Sequence, residues 1–142
     1  MNRNAKLFST WLAMKKIQSF KQETLGDGRE SVIFRTNVTV RGQVIPLAAI
    51  VDDSAYTIIR ANLAAQALDD RNAFAVSQLI TKLNQVNRVF KFYLAPDTTV
   101  LMDTCVPCLT GHFQPELVYQ MIRIAAKELE NIYSDFMGRI WG

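Results

Sequence analysis

The sequence has few of the residues that usually carry catalysis or bind metal ions. One histidine and two cysteines occur among 142 residues, which excludes a histidine pair and a disulfide framework. No phosphate-binding loop, dinucleotide fingerprint or nucleophile elbow is present. No apolar run approaches the roughly 20 residues that span a bilayer, and Lys15 and Lys16 interrupt the apolar stretch that a secretory signal would need. We therefore expect a cytoplasmic protein that is not an enzyme, binds no cofactor and has no membrane span.

The composition is that of one folded domain. Hydrophobic residues make up 49% of the chain and charged residues 20%, which favours a globular protein over a disordered one. A chain of this length can bury a core without disulfides. Because no repeat, low-complexity tract or linker divides the sequence, we expect a single domain over residues 1–142.

The positive charge is concentrated near the N-terminus. The net charge is +3, yet the first 22 residues contain five basic side chains and no acidic one. Such a segment could contact nucleic acid, an anionic surface or an acidic partner. Five charges are few for a nucleic-acid footprint. We therefore favour a solvated helix face, and weak binding to nucleic acid or an anionic surface is an alternative function.

Hydrophobic periodicity separates helices from strands. A period near 3.6 predicts a helix, and an alternation of two predicts a half-buried strand, as between Ser31 and Val40. Gly26 and Gly28 favour a turn after the first helix. The resulting helices cover residues 5–22, 74–86 and 114–140, and the strands cover residues 31–40, 43–51, 56–63, 89–95 and 99–106.

The order of these elements is α-β-β-β-α-β-β-α. Short hairpin connections make neighbouring strands antiparallel, and the repeated βα units of a parallel sheet are missing. The predicted fold class is α+β, with a five-stranded antiparallel sheet and helices packed mainly on one face. The order of the strands within the sheet stays open.

Three local segments accompany this order of elements. One is Leu83–Asn87, which ends a helix directly before a strand, and another is the hairpin from Phe90–Leu94 to Val100–Asp103. The third is the loop Leu109–Phe113, which leads into the long C-terminal helix. In these features the chain resembles the YbjN-like family of small bacterial proteins, whose fold is similar to that of type III secretion chaperones. The resemblance implies a role as a sensory-transduction or stress regulator, or as a dimeric chaperone that holds a partner chain.

Cys105 and Cys108 form the one motif with possible chemistry. With His112 they read C-x2-C-x3-H, which offers three ligands where structural zinc sites use four. A reactive thiol needs a helix N-terminus or a cation beside it, and the next helix begins several residues later. We therefore interpret the cysteines as small hydrophobic side chains. A thiol-redox or metal-responsive protein that uses these three residues is the first alternative function.

Surplus apolar surface predicts association. Several strands are apolar on both faces, and three helices can hardly cover both faces of a sheet, so one face should need a partner. We expect a homodimer or another protein of unknown identity to bind there. The predicted interface residues are Phe90, Phe92 and Tyr93 in the sheet, and Trp11 and Phe8 near the N-terminus. The main functional prediction is a non-enzymatic regulatory or chaperone-like protein-binding domain.

Overall fold

A computed structural model describes the whole chain, Met1 to Gly142, as three helices and six strands. None of the helices combines the length and the apolar composition that crossing a membrane requires. The elements in chain order are α1 (Arg3–Met14), β1 (Lys21–Thr24), β2 (Val32–Val40), β3 (Gln43–Val51), β4 (Tyr56–Ala64), α2 (Ala73–Val86), β5 (Lys91–Leu94), β6 (Val100–Pro107) and α3 (Pro115–Trp141).

The strands form one antiparallel sheet in the order β1-β2-β3-β4-β6-β5. Strands β1 to β4 are consecutive neighbours, and α2 then carries the chain to the far edge, where β5 lies. Strand β6 returns between β5 and β4 and pairs with both. The α+β class and the antiparallel sheet are confirmed, but the sheet has six strands rather than five.

The extra strand comes from the region that was predicted as the end of the first helix. Helix α1 ends at Met14 because Lys16 adopts a positive φ of 59°. The N–H of Ile17 donates to the carbonyl of Leu12 at 2.9 Å, and that of Lys16 donates to Ala13 at 3.0 Å. These two bonds form a Schellman cap. Leaving the helix there allows Lys21–Thr24 to pair with β2 as an edge strand.

All three helices cover the same face of the sheet, which we call the inner face. One core cluster of 28 buried residues joins them to the alternate side chains of the strands. Ile33 is the single buried hydrophobic residue outside this cluster, because it points to the opposite, outer face. The long helix α3 contributes one row of buried side chains: Val118, Ile122, Ala125, Leu129, Ile132, Phe136 and Ile140.

Both edges of the sheet are protected against further strands. At β5, the side chain of Asn84 donates to the Phe92 carbonyl at 2.9 Å and accepts from the Phe92 N–H at 2.8 Å. An α2 side chain therefore occupies the position of a neighbouring strand. At the other edge, β1 is only four residues long, fully exposed and contains a lysine and a glutamate. Short, charged edge strands of this kind discourage edge-to-edge pairing.

We predict that Asn84→Ala lowers the free energy of unfolding by about 1–3 kcal/mol, because the paired polar groups of Phe92 lose their partner. Urea unfolding measures the change. Gln85→Ala is the matched control, since this exposed neighbour on α2 makes no comparable bond. Equal stability of the two variants would show that the cap on β5 contributes nothing.

Candidate functional site

The outer face of the sheet is not covered by any helix and carries two apolar stripes. Cross-strand pairing aligns Ile33 with Ile50, Ile50 with Ile58, and Ile58 with Cys105. We call these four residues the isoleucine stripe. A second, interrupted stripe includes Leu101, which pairs with Tyr93 on β5. The outer face is thus a broad surface with apolar side chains from most of its strands.

A charged row crosses the sheet between the two stripes. Every strand contributes one residue to it, because the registers of the five strand pairs place these residues opposite one another. Four of the six are basic and one is acidic. In spatial order from the β1 edge the row consists of Lys21, Arg35, Ala48, Arg60, Asp103 and Lys91.

A hydrogen-bonded cluster fixes one end of the charged row. The Nε and Nη2 atoms of Arg60 each donate to one carboxylate oxygen of Asp103, both at 2.9 Å. The hydroxyl of Tyr93 donates to the same carboxylate at 3.0 Å. Burial and, after it, the bond to Asp103 raise the pKa of Tyr93 above its usual value, so this hydroxyl stays protonated at neutral pH. The cluster orients Arg60 and offers no nucleophile paired with a base.

The predicted interface residues differ in their exposure to solvent. Phe8, Phe90 and Phe92 lie in the core with exposures of 0%, 2% and 1%, so these rings are not available to a partner in this fold and their assignment is corrected. Phe90 and Phe92 belong to the strand alternation that faces the helices. Tyr93 has the opposite alternation and reaches the outer face with 37% exposure. Trp11 is half-buried on the helix layer.

The surplus of aromatic residues near the chain ends is explained by packing. Phe8 contacts Phe34 edge to face, with 4.8 Å between the ring centroids. Trp11 lies against Tyr119 of α3, with 5.4 Å between the centroids. Phe113 completes the group around Phe8. These rings attach α1 to the sheet and to α3 rather than forming a contact surface.

The structure separates the two cysteines. Cys105 lies on the outer face opposite Ile58, whereas Cys108 packs against the core. Burial and, to a lesser degree, Cys108 raise the pKa of the Cys105 thiol, which is the opposite of activation. His112 shares a small hollow with Cys108. No three histidine, cysteine or acidic side chains come together as metal ligands, so nothing favours the thiol-redox or metal alternative.

The basic N-terminal residues do not act as one group. Arg3 and Lys6 are exposed on α1, on the helix layer. Lys15 lies with its Nζ 6.0 Å from the centre of the Trp11 ring. Lys21 belongs to β1 and begins the charged row of the outer face. The observed fold thus divides this charge between the two faces of the sheet.

The comparisons with known proteins concern the fold. No protein-family model and no curated protein matches the sequence. A chain in the crystal structure of the ExsC-ExsE complex is similar over 94% of this chain and 97% of its own length, with a TM-score of 0.51 and 8% sequence identity. The likeness supports the chaperone-like fold that the sequence resemblance implies. It does not single out the YbjN-like family.

We predict that the double variant Cys105→Ser with Cys108→Ser folds normally and that the purified protein contains no stoichiometric zinc. The reason is that Cys105 points to the outer face while Cys108, beyond the end of β6, packs against the core, and no set of three metal ligands comes together. Thermal unfolding and elemental analysis measure the two outcomes. One zinc ion per chain, or unfolding upon chelation, would contradict the prediction.

Proposed function

We propose that this protein is a non-enzymatic, regulatory or chaperone-like protein-binding domain whose contact surface is the outer face of the sheet. The observation that carries the proposal is the part of the isoleucine stripe formed by Ile50, Ile58 and Cys105, since Ile33 is only 8% exposed. Ile50 and Ile58 are only partly buried, and no helix covers them. A contiguous apolar surface beside charged residues is typical of an interaction site.

Both edges of the sheet are protected against strand addition, which favours the outer face as the binding surface. A partner strand could add to an open edge through backbone hydrogen bonds. Here Asn84 occupies that position at β5, and β1 is short and charged. Binding through side chains on the outer face remains open to a partner of any backbone conformation.

The structural similarity supports a protein partner rather than a small-molecule substrate. The similar chain was solved as part of the ExsC-ExsE complex, and the same fold can present the same kind of surface here. The shared fold by itself does not carry function. The uncovered stripe of this chain supplies the independent argument.

We further propose that the chain forms a homodimer through the part of the outer face that contains Tyr93 and Ile58. Symmetric pairing of one patch with itself is the commonest arrangement of soluble oligomers. Tyr93 combines an apolar ring with a hydroxyl that is already hydrogen-bonded to Asp103. Tyrosine is enriched at protein–protein interfaces. The cysteines are not needed for this association.

We predict that light scattering at micromolar concentration under reducing conditions gives about twice the chain mass of 16.1 kDa. Ile58→Asp should give monomers, because a charge in the contact would lose its water. The matched control is Ile124→Asp, since Ile124 is 47% exposed on α3 in the helix layer.

A monomeric wild-type protein would contradict the homodimer and leave the outer face to another protein. A dimer that Ile58→Asp leaves intact and Ile124→Asp dissociates would place the contact on the helix layer. That second result would also contradict the proposed surface.

A further inference from the structure

The outer face contains a hollow of about 460 Å³ whose lining includes Ala48. Ala48 lies between Arg35 and Arg60 in the charged row, so a small side chain separates two long ones. Adjacent strands lie about 4.8 Å apart, which leaves room for a side chain between the two guanidinium groups. The apolar residues of the outer face that line the hollow are Ile33, Pro46, Ala48, Ile50 and Leu101.

The charge in this hollow is of one sign. Lys21, Arg35 and Arg60 line it, and none of its 13 lining residues is an aspartate or a glutamate. Its polar neutral lining is Ser19, Thr36, Asn37 and Asn62. A negatively charged group is therefore the complementary occupant.

The two arginines are held in place by acids that lie outside the hollow. The Nε atom of Arg35 donates to Glu23 at 2.9 Å, and Arg60 uses Nε and Nη2 on Asp103. Both Nη atoms of Arg35 and the Nη1 atom of Arg60 have no hydrogen-bond acceptor in the chain. Pairing therefore positions the guanidinium groups and leaves donors for a further oxygen acceptor.

We propose that this hollow binds the carboxylate of an aspartate or glutamate side chain in an extended segment of a protein partner. The acidic side chain lies over Ala48 and accepts hydrogen bonds from the free nitrogens of Arg35 and Arg60. Apolar side chains of the same segment contact Ile33 and Ile50 on one side and Leu101 on the other, and Ile58 and Tyr93 stay with the homodimer contact. This inference rests on the proposed protein-binding function and names the partner chemistry that the surface selects.

The lining favours an acidic peptide over nucleic acid. Single-stranded nucleic acid is bound by aromatic rings on which bases stack, together with a longer series of cations. The hollow has no aromatic residue among its lining and only three cations, of which Arg35 is already paired with Glu23 and Arg60 with Asp103. An apolar floor beside a few fixed cations suits a peptide with one acidic side chain, and complementary charge gives such a contact its specificity.

Two short fluorescein-labelled peptides test the proposal. Both have one central position flanked by valines in a glycine–serine sequence, and the centre is glutamate in one and glutamine in the other. We expect the glutamate peptide to bind about tenfold more tightly by fluorescence anisotropy, because charge-assisted hydrogen bonds to arginine are the stronger kind. Equal affinities, or no binding of either peptide, would overturn the proposal. Tighter binding of labelled oligothymidylate would overturn it in favour of nucleic acid.

Matched variants locate the site. Arg35→Gln should remove most of the preference for glutamate, whereas Arg123→Gln, which removes an exposed charge from α3, should leave it unchanged. The exchange of Arg60→Asp with Asp103→Arg keeps an ion pair but moves the cation out of the hollow, and it should also remove the preference. Equal behaviour of Arg35→Gln and Arg123→Gln would overturn the assignment. Circular dichroism confirms that each variant is folded.

Failure of this inference is distinguishable from failure of the proposed function. If the dimer forms through the outer face while neither peptide is preferred, the carboxylate site is contradicted and the protein-binding function is retained. The opposite result is that Ile124→Asp rather than Ile58→Asp dissociates the dimer, while the glutamate preference depends on Arg35. It would contradict the proposed homodimer surface and support the carboxylate site.

Discussion

The structure is governed by the inability of one layer of helices to cover two faces of a sheet. Three helices bury the inner face, and α3 alone places seven side chains there. The six strands must then expose their alternate side chains on the outer face. Because Ile50 and Ile58 fall in that set and stay partly exposed, folding leaves apolar area on the outer face, and we propose that another molecule covers it. The proposed function follows from this imbalance.

In the proposed site, the charged row contributes selectivity rather than stability. Arg60 and Asp103 form a two-pronged ion pair, but the Arg60 side chain is 40% exposed and that of Asp103 is 20% exposed. A pair so open to water stabilises the fold by only about 0–1 kcal/mol. Its structural consequence is orientation, since it fixes the direction of a guanidinium group that lines the hollow. Apolar stripes supply contact area, and the fixed cations determine which segment fits.

Much of the fold could be predicted from the sequence, because period-two alternation identified β2 and a continuous apolar run identified β3, both nearly to the residue. The end of α1 could not, since Lys16 takes a positive φ that usually signals glycine. The interface prediction included both Phe92 and Tyr93 of β5, because alternation does not say which set of side chains faces the helices. The hollow was also beyond prediction. Arg35, Ala48 and Arg60 come from three strands and meet only through the sheet register.

Site-specific photo-crosslinking in the native host tests the central claim most directly. A photoreactive residue at position 58 reports on the outer face, and one at Lys127, exposed on α3, reports on the helix layer. The account predicts protein adducts of discrete mass from position 58 and none from position 127. Adducts from position 127 alone would show that the helix layer carries the interaction and would contradict the account.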